Sequence, residues 1–179
     1  MAIIVHESKL LEKITRRSLP AHLDPLRRVR AWKETAEVIA AVRQKSLQEG
    51  TPVFIVCDHY GLTSLLSFYL PEARTNLVRQ PLVYPKTPTR PANQYYFWPE
   101  YQYRQTRPGE NALYVREWKT TRPVQGWQWD WLLGKPIAYT TNLPPANPVP
   151  PILREEFAEI KDLGTYEIKY RNRVFHGVH

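Results

Sequence analysis

Residues 53–70 read VFIVCDHYGLTSLLSFYL, and Pro71 follows. Val53 to Cys57 is a short, apolar, β-branched run bounded by Pro52, which is the pattern of a buried strand. Polar residues begin abruptly at Asp58-His59-Tyr60, and Gly61 closes the turn. Leu62, Leu65, Leu66, Tyr69 and Leu70 then recur at helical spacing up to Pro71. A second short strand over Arg74–Arg79 completes the expected βαβ unit. Such a unit sets Asp58, His59 and Tyr60 at the carboxyl end of its first strand, where open α/β sheets bind ligands beside a helix N-terminus.

Working outward, Asp24-Pro25 has the chemistry of a helix start, with aspartate as N-cap and proline at the first helical position. Val29, Trp32, Ala36 and Ile39 fall on one face of that helix, which should run to Gln48 and stop at Gly50. Trp32 is expected in the core. Residues Pro81 to Pro91 carry four prolines and predict a stiff, extended loop that delivers Asn93-Gln94-Tyr95-Tyr96-Phe97-Trp98. Those aromatics and amides suit a carbohydrate or polar-lipid surface, and equally suit a packed strand. Ala112–Arg116 reads as a strand. Trp127, Trp129 and Trp131 alternate, which fits one face of a strand or an interfacial helix. Pro144 to Pro151 reads as a second linker. Phe157–Ile160, Tyr166–Tyr170 and Val174–Val178 predict a closing antiparallel meander. The fold expected is therefore α/β: a mixed, twisted sheet with a βαβ unit, helices Pro25–Gln48 and Leu62–Leu70 packed on it, and that meander. Residues 24–179 form one domain, with residues 1–23 as an N-terminal tether or arm.

The chain of 179 residues is long enough for a real core. No apolar run approaches the ~20 residues of a membrane helix, and no charged segment followed by an apolar one opens the sequence, so no signal peptide is expected in it. One cysteine, Cys57, excludes an internal disulfide and a cysteine-cluster zinc site. A net charge of +8 and a pI near 9.6 favour anionic partners: nucleic acid, anionic lipid headgroups or a lipid-linked phosphate.

The order of motifs resembles a known region. D-x-Y after an apolar strand (Asp58, Tyr60), then F-Y-L-P (Phe68, Tyr69, Leu70, Pro71), then N-Q-Y-x-x-W (Asn93, Gln94, Tyr95, Trp98) is similar to the soluble C-terminal region of bacterial membrane glycosyltransferases. These are of the dolichyl-phosphate-mannose-protein mannosyltransferase type, which includes the lipid A aminoarabinose transferases. Asp24 to Trp32 resembles the D-P-x-R-R-x-x-G-W segment of the same region, with Ala31 in the glycine's place. The likeness covers roughly Asp24 to Arg116. It implies a domain on the extracytoplasmic, periplasmic face of the inner membrane, attached to a membrane-embedded part of a parent protein. It also implies a lipid-phosphate-linked sugar or glycan acceptor as ligand, and catalytic acids that lie elsewhere in that parent. An anionic membrane surface is a further implied partner.

The residues themselves show no H-E-x-x-H, G-x-S-x-G, P-loop or dinucleotide fingerprint. No catalytic residue, metal ligand or cofactor is therefore assigned. His176 and His179, three apart on a strand, should face opposite ways and share no metal. Cys57 and His59 have the types of a thiolate pair, but a cysteine closing an apolar run is ordinarily a small hydrophobe. Glu155-Glu156 is the one acidic pair, expected on an exposed turn. A standalone small enzyme using Asp58, His59 or Cys57 is the alternative reading, and a basic nucleic-acid-binding module is another, although no recognition helix or RNP-like pair is visible. The candidate binding surface joins the Asp58–Gly61 turn to the Lys86–Trp98 segment. Asp58, Tyr60, Arg90, Asn93, Gln94, Tyr95 and Trp98 are its assigned residues: Arg90 for a phosphate, the amides for hydroxyls, Tyr95 or Trp98 for stacking. In the competing reading, Tyr60, Asn93 and Gln94 merely hold the proline loop in shape.

Overall fold

The computed structural model describes residues 30–76, 80–87, 90–91, 93–118, 126–130, 135–139, 149–170 and 173–179. The expected helix start at Asp24-Pro25 and the N-terminal tether lie outside them. The described helix α1, Trp32–Gln48, begins after Ala31, whose φ of 65° is left-handed. Trp32, Thr35, Ala36 and Ile39 are its buried residues, so Trp32 is core as its position predicts.

Strand β1, Val53–Cys57, is the centre of a three-stranded parallel sheet of order β2-β1-β3. Helix α2, Tyr60–Tyr69, follows it as the sequence indicates. Pro71 does not only end α2. It also opens a further short helix, α3, Pro71–Thr75, because proline at the first helical position has no amide to leave unpaired. The strand expected over Arg74–Arg79 is therefore corrected: Arg74 is helical, and residues 77–79 lie outside the described set.

The second strand of the βαβ unit is β2, Val83–Pro85, inside the run expected to be irregular. It pairs Ile55 with Val83 and Cys57 with Pro85. β2 is an edge strand, and an edge position tolerates proline because one side of the strand needs no ladder partner. Two 3₁₀ turns, Gln94–Phe97 and Pro99–Tyr101, and the short helix α4, Tyr103–Thr106, lead to β3, Asn111–Val115. The aromatic run at 94–98 is thus neither strand nor open loop. β3 pairs along the whole of β1, from Val53–Asn111 to Cys57–Val115.

Period-two alternation along β1 sends its side chains to two cores. Ile55 and Cys57 join Trp32, Ala36 and Ile39 of α1 and Leu62 and Leu66 of α2. Phe54 and Val56 join Tyr84, Tyr103 and Leu153 on the other face. Both faces are covered, which explains why β1 is apolar throughout.

The parallel and antiparallel strands occupy separate sheets. β4, Glu117–Trp118, pairs antiparallel with β8, Arg173–Val178, and β8 with β7, Tyr166–Tyr170. β5, Gly126–Asp130, and β6, Lys135–Tyr139, form a two-stranded hairpin. Trp127 and Trp129 accordingly lie on a strand, while Trp131 is outside the described residues. The expected strand Phe157–Ile160 is not one. The chain there instead leaves helix α5, Pro151–Glu156, which again starts on a proline. Leu153 of α5 is buried and Phe157 packs beside it, so the apolar residues that looked strand-like serve a helix and its exit. Glu156 is correspondingly no exposed-turn residue: it ends α5 and is bound by Tyr103 and Arg104.

Candidate functional site

Because β1, β2 and β3 are parallel, their carboxyl ends share one edge. Asp58 follows β1, Lys86 follows β2, and Tyr114 and Arg116 stand at the end of β3. The backbone fixes these positions: the Lys86 amide donates to the Cys57 carbonyl at 2.8 Å, and the Asp58 amide to the Val115 carbonyl at 3.0 Å.

The side chains converge on the Asp58 carboxylate. Lys86 Nζ donates to Oδ1 at 2.6 Å, and the Tyr114 hydroxyl donates to the same oxygen at 2.9 Å. Arg116 Nε lies 3.5 Å from Oδ2. Burial by itself would raise the Asp58 pKa. The hydrogen bonds from Lys86 and Tyr114, with the charges of Lys86 and Arg116, outweigh it and hold the carboxyl below its ordinary 3.8. Asp58 is thus ionised and fully engaged. Burial, and then the Asp58 charge, push the Tyr114 phenol up, so it stays a neutral donor. Two cations thus approach one carboxylate, and the Lys86 and Arg116 side chains keep 37% and 34% exposure.

The α2 N-terminus sits next to this cluster. His59 is its N-cap: Nδ1 accepts from the Gly61 amide at 3.1 Å. A side chain on Gly61 would bring its Cβ within 3.0 Å of that nitrogen, so the glycine permits the cap. One first-turn amide is therefore taken by the protein itself. Cys57 points the other way, into the core, and burial pushes its thiol up, away from the thiolate. A Cys57–His59 nucleophile is not supported by that burial.

The structure divides the other sequence-derived candidates. Tyr60 is exposed on the first turn of α2. Arg90 and Gln94 are exposed. Asn93 caps the 3₁₀ turn, its Oδ1 accepting from the Tyr95 amide at 3.0 Å. Tyr95 is buried, and its hydroxyl lies 2.8 Å from Ser64 Oγ. Asn93 and Tyr95 therefore build the scaffold, as the competing reading of the asparagine held, and Tyr95 offers no open ring face. Trp98 remains partly exposed, packed edge-on against Tyr95 at 5.3 Å.

The Ser64–Tyr95 bond brings the 93–98 segment onto α2, one turn beyond Tyr60. Lys86, Tyr114 and Arg116 were not singled out as site residues from sequence. Their signal was positional: a cation directly follows each apolar strand run, in VYPK and ALYVR.

Elsewhere, His176 and His179 do face apart. His176 is buried against Thr35, and His179 lies near Thr165 and Asp162. Among the described residues, no three His, Cys, Asp or Glu side chains are placed to share a metal ion. No helix of the described residues is long and apolar enough to cross a membrane. No family model, curated protein or solved structure matches the chain.

Proposed function

We propose that the chain is a ligand-recognition domain of a lipid-linked-sugar-dependent membrane glycosyltransferase, that it binds an anionic, phosphate-bearing ligand at the carboxyl edge of its parallel sheet, and that it is not catalytic alone. The observation that carries this reading is the Asp58 cluster. One carboxylate orients two half-exposed cations at the edge of the sheet where α/β folds take their ligands. Asp58 acts there as a positioning residue, while Lys86 and Arg116 meet the phosphate, with Tyr60, Arg90, Gln94 and Trp98 on the adjoining surface.

Two features favour this over a standalone enzyme. Asp58 is held ionised between cations, which makes it a poor proton acceptor, and Cys57 is sealed in the core. The glycosyltransferase assignment itself rests on the resemblance of the motifs. It gains support from Ala31, whose left-handed φ of 65° stands where that family's segment has glycine.

The reading is tested with the purified chain and a short-chain polyprenyl monophosphate. Calorimetry should show binding that Lys86→Ala weakens roughly tenfold or more, the scale of one charge-assisted contact. No labelled sugar should be released from a lipid-linked donor. Release that disappears in Asp58→Ala would establish the enzyme instead.

A further inference from the structure

Strand β3 is the outer strand of its sheet, with β1 on one side and, among the described residues, no strand along the other. The Val115 carbonyl accepts from the Asp58 amide, so Asn111, Leu113 and Val115 turn their peptide groups toward β1. Ala112 and Tyr114 turn theirs outward, and so does Arg116 after them. Arg116 has an outward partner: it exchanges two backbone bonds with His179, at 2.8 and 2.9 Å. That pair continues the antiparallel register of Glu117 with Val178 and Trp118 with Gly177. The β8 ladder thus reaches the end of β3 and stops there, leaving the outward peptide groups of Tyr114 and Ala112 next in line. A groove of about 820 Å³ follows this edge along the whole of β3 and on to Val178 and His179. Val38 and Ile39 of α1 line it on the core face of Leu113. Val149, Leu153 and Phe157 line it on the core face of Ala112 and Tyr114. Ile160 and Leu163, 45% and 43% exposed, line it as well.

We propose that this groove takes an extended, uncharged, apolar segment of a partner polypeptide, which adds to the β2-β1-β3 sheet as a fourth strand, antiparallel to β3 and in register with the β8 ladder. The inference is independent of the ligand site: Tyr114 serves Asp58 there through its hydroxyl, and the strand here through its backbone. Three features set the occupant. Outward N–H and C=O groups at strand spacing are matched by another strand, whereas an acyl chain would leave them unsatisfied. The Arg116–His179 pair fixes direction and register, so residues opposite Tyr114 and Ala112 form the next hydrogen-bonded pairs. The edge lies between two apolar walls, so a strand there is buried on both faces and is apolar at consecutive positions, as β1 is. The 158–164 segment bounds the groove together with the helices. A bare strand fits it, while the edge of a second copy would carry its own α1, α5 and 158–164 segment against these elements.

The test uses the full chain and a fluorescein-labelled peptide, Thr-Val-Ile-Val-Thr with a lysine at each end. In the inferred register its valines lie opposite Tyr114 and Ala112 and its isoleucine opposite Leu113. Fluorescence anisotropy should show saturable binding. N-methylation of both valines removes the amides that face β3 and should weaken binding about tenfold or more; N-methylation of the isoleucine, whose amide faces away, should leave it within about threefold. Glutamate in place of the isoleucine should also weaken it, by setting a charge against Val38 and Ile39. Hydrogen exchange followed by NMR gives a second readout on the unaltered chain. Without peptide, the Ala112 and Tyr114 amides should exchange far faster than those of Leu113 and Val115, and the peptide should slow them. Ala112→Pro removes an outward amide and no bond to β1, so it should weaken peptide binding with a melting temperature close to the parent's. Absence of binding, binding indifferent to which amides are methylated, or Ala112 and Tyr114 amides already protected in the free chain overturns the proposal. Dimerisation that protects the same two amides overturns it as well. Displacement of the peptide by the polyprenyl phosphate would place the peptide at the Asp58 cluster and overturn the groove alone, so this proposal and the ligand-site reading fail separately.

Discussion

Mild acid should destabilise this fold through one histidine. His176 sits on β8 opposite Ile168, 5% exposed, with its ring 5.0 Å from that of Trp32. Its Nε2 lies 2.8 Å from Thr35 Oγ1. The Thr35 hydroxyl donates its single hydrogen to the Ala31 carbonyl at 2.6 Å. Nε2 must therefore carry the hydrogen in this pair, and the ring is buried neutral. Burial lowers its pKa from 6.5 to about 4. Between these values the unfolded chain binds a proton that the folded chain refuses, so stability rises with pH across the window and is lost as pH falls through it. Full protonation would cost about 3 kcal/mol, and the step from about pH 7 to about pH 5 about 2 kcal/mol. That is a large part of the stability of a domain this size. The assay is urea unfolding at both pH values, with His176→Gln as comparator. Glutamine keeps an N–H for Thr35 and cannot titrate. The parent should lose about 2 kcal/mol more than the variant over this interval. Equal losses would refute the reasoning, because the acid sensitivity would then reside elsewhere.

Asp58→Asn should destabilise the fold by about 1–2 kcal/mol by releasing Lys86 and Arg116. It should also flatten the acid limb below about pH 4, since a carboxyl with a depressed folded pKa contributes stability above its unfolded value and loses it as pH falls through the folded one. Ala31→Gly should stay within about 1 kcal/mol of the parent in denaturant melts, because relief of the left-handed backbone offsets the lost methyl group. Ala31→Val, at the same 2%-exposed position, should be clearly destabilising. Cys57 should resist a bulky disulfide reagent in the folded chain and react once denaturant is added; rapid reaction under native conditions would contradict its burial.

Strand β1 and helix α2 were legible because their patterns are unmixed: five apolar residues, a polar turn, then a helical period. What was misread hinges on proline. Pro71 and Pro151 each open a short helix, although the first reads as a helix end and the second as the end of a linker. Pro81 and Pro85 concealed β2, because a strand tolerates proline at an edge and nothing local announces which strand will be the edge. The site was legible as a place more than as a set of residues. Strand polarity alone pointed to Asp58 as the candidate position. The partners Lys86, Tyr114 and Arg116 depended on β2 and β3 flanking β1 in parallel, a long-range pairing that local patterns do not encode. Asn93 and Tyr95 are engaged within the fold for the complementary reason: polar groups beside irregular backbone help to hold it.

The central claim is that the carboxyl edge of the parallel sheet binds a phosphate-bearing ligand. It is tested most directly by titrating the isotope-labelled chain with a short-chain polyprenyl monophosphate and following backbone amide shifts by NMR. The account predicts shifts concentrated at Asp58–Gly61, Lys86 and Val115–Arg116, and their loss in Lys86→Ala. Shifts confined to the opposite edge of the sheet, where Arg43 and Arg107 pair with Glu72 and Glu110, or no saturable shifts at all, would contradict it.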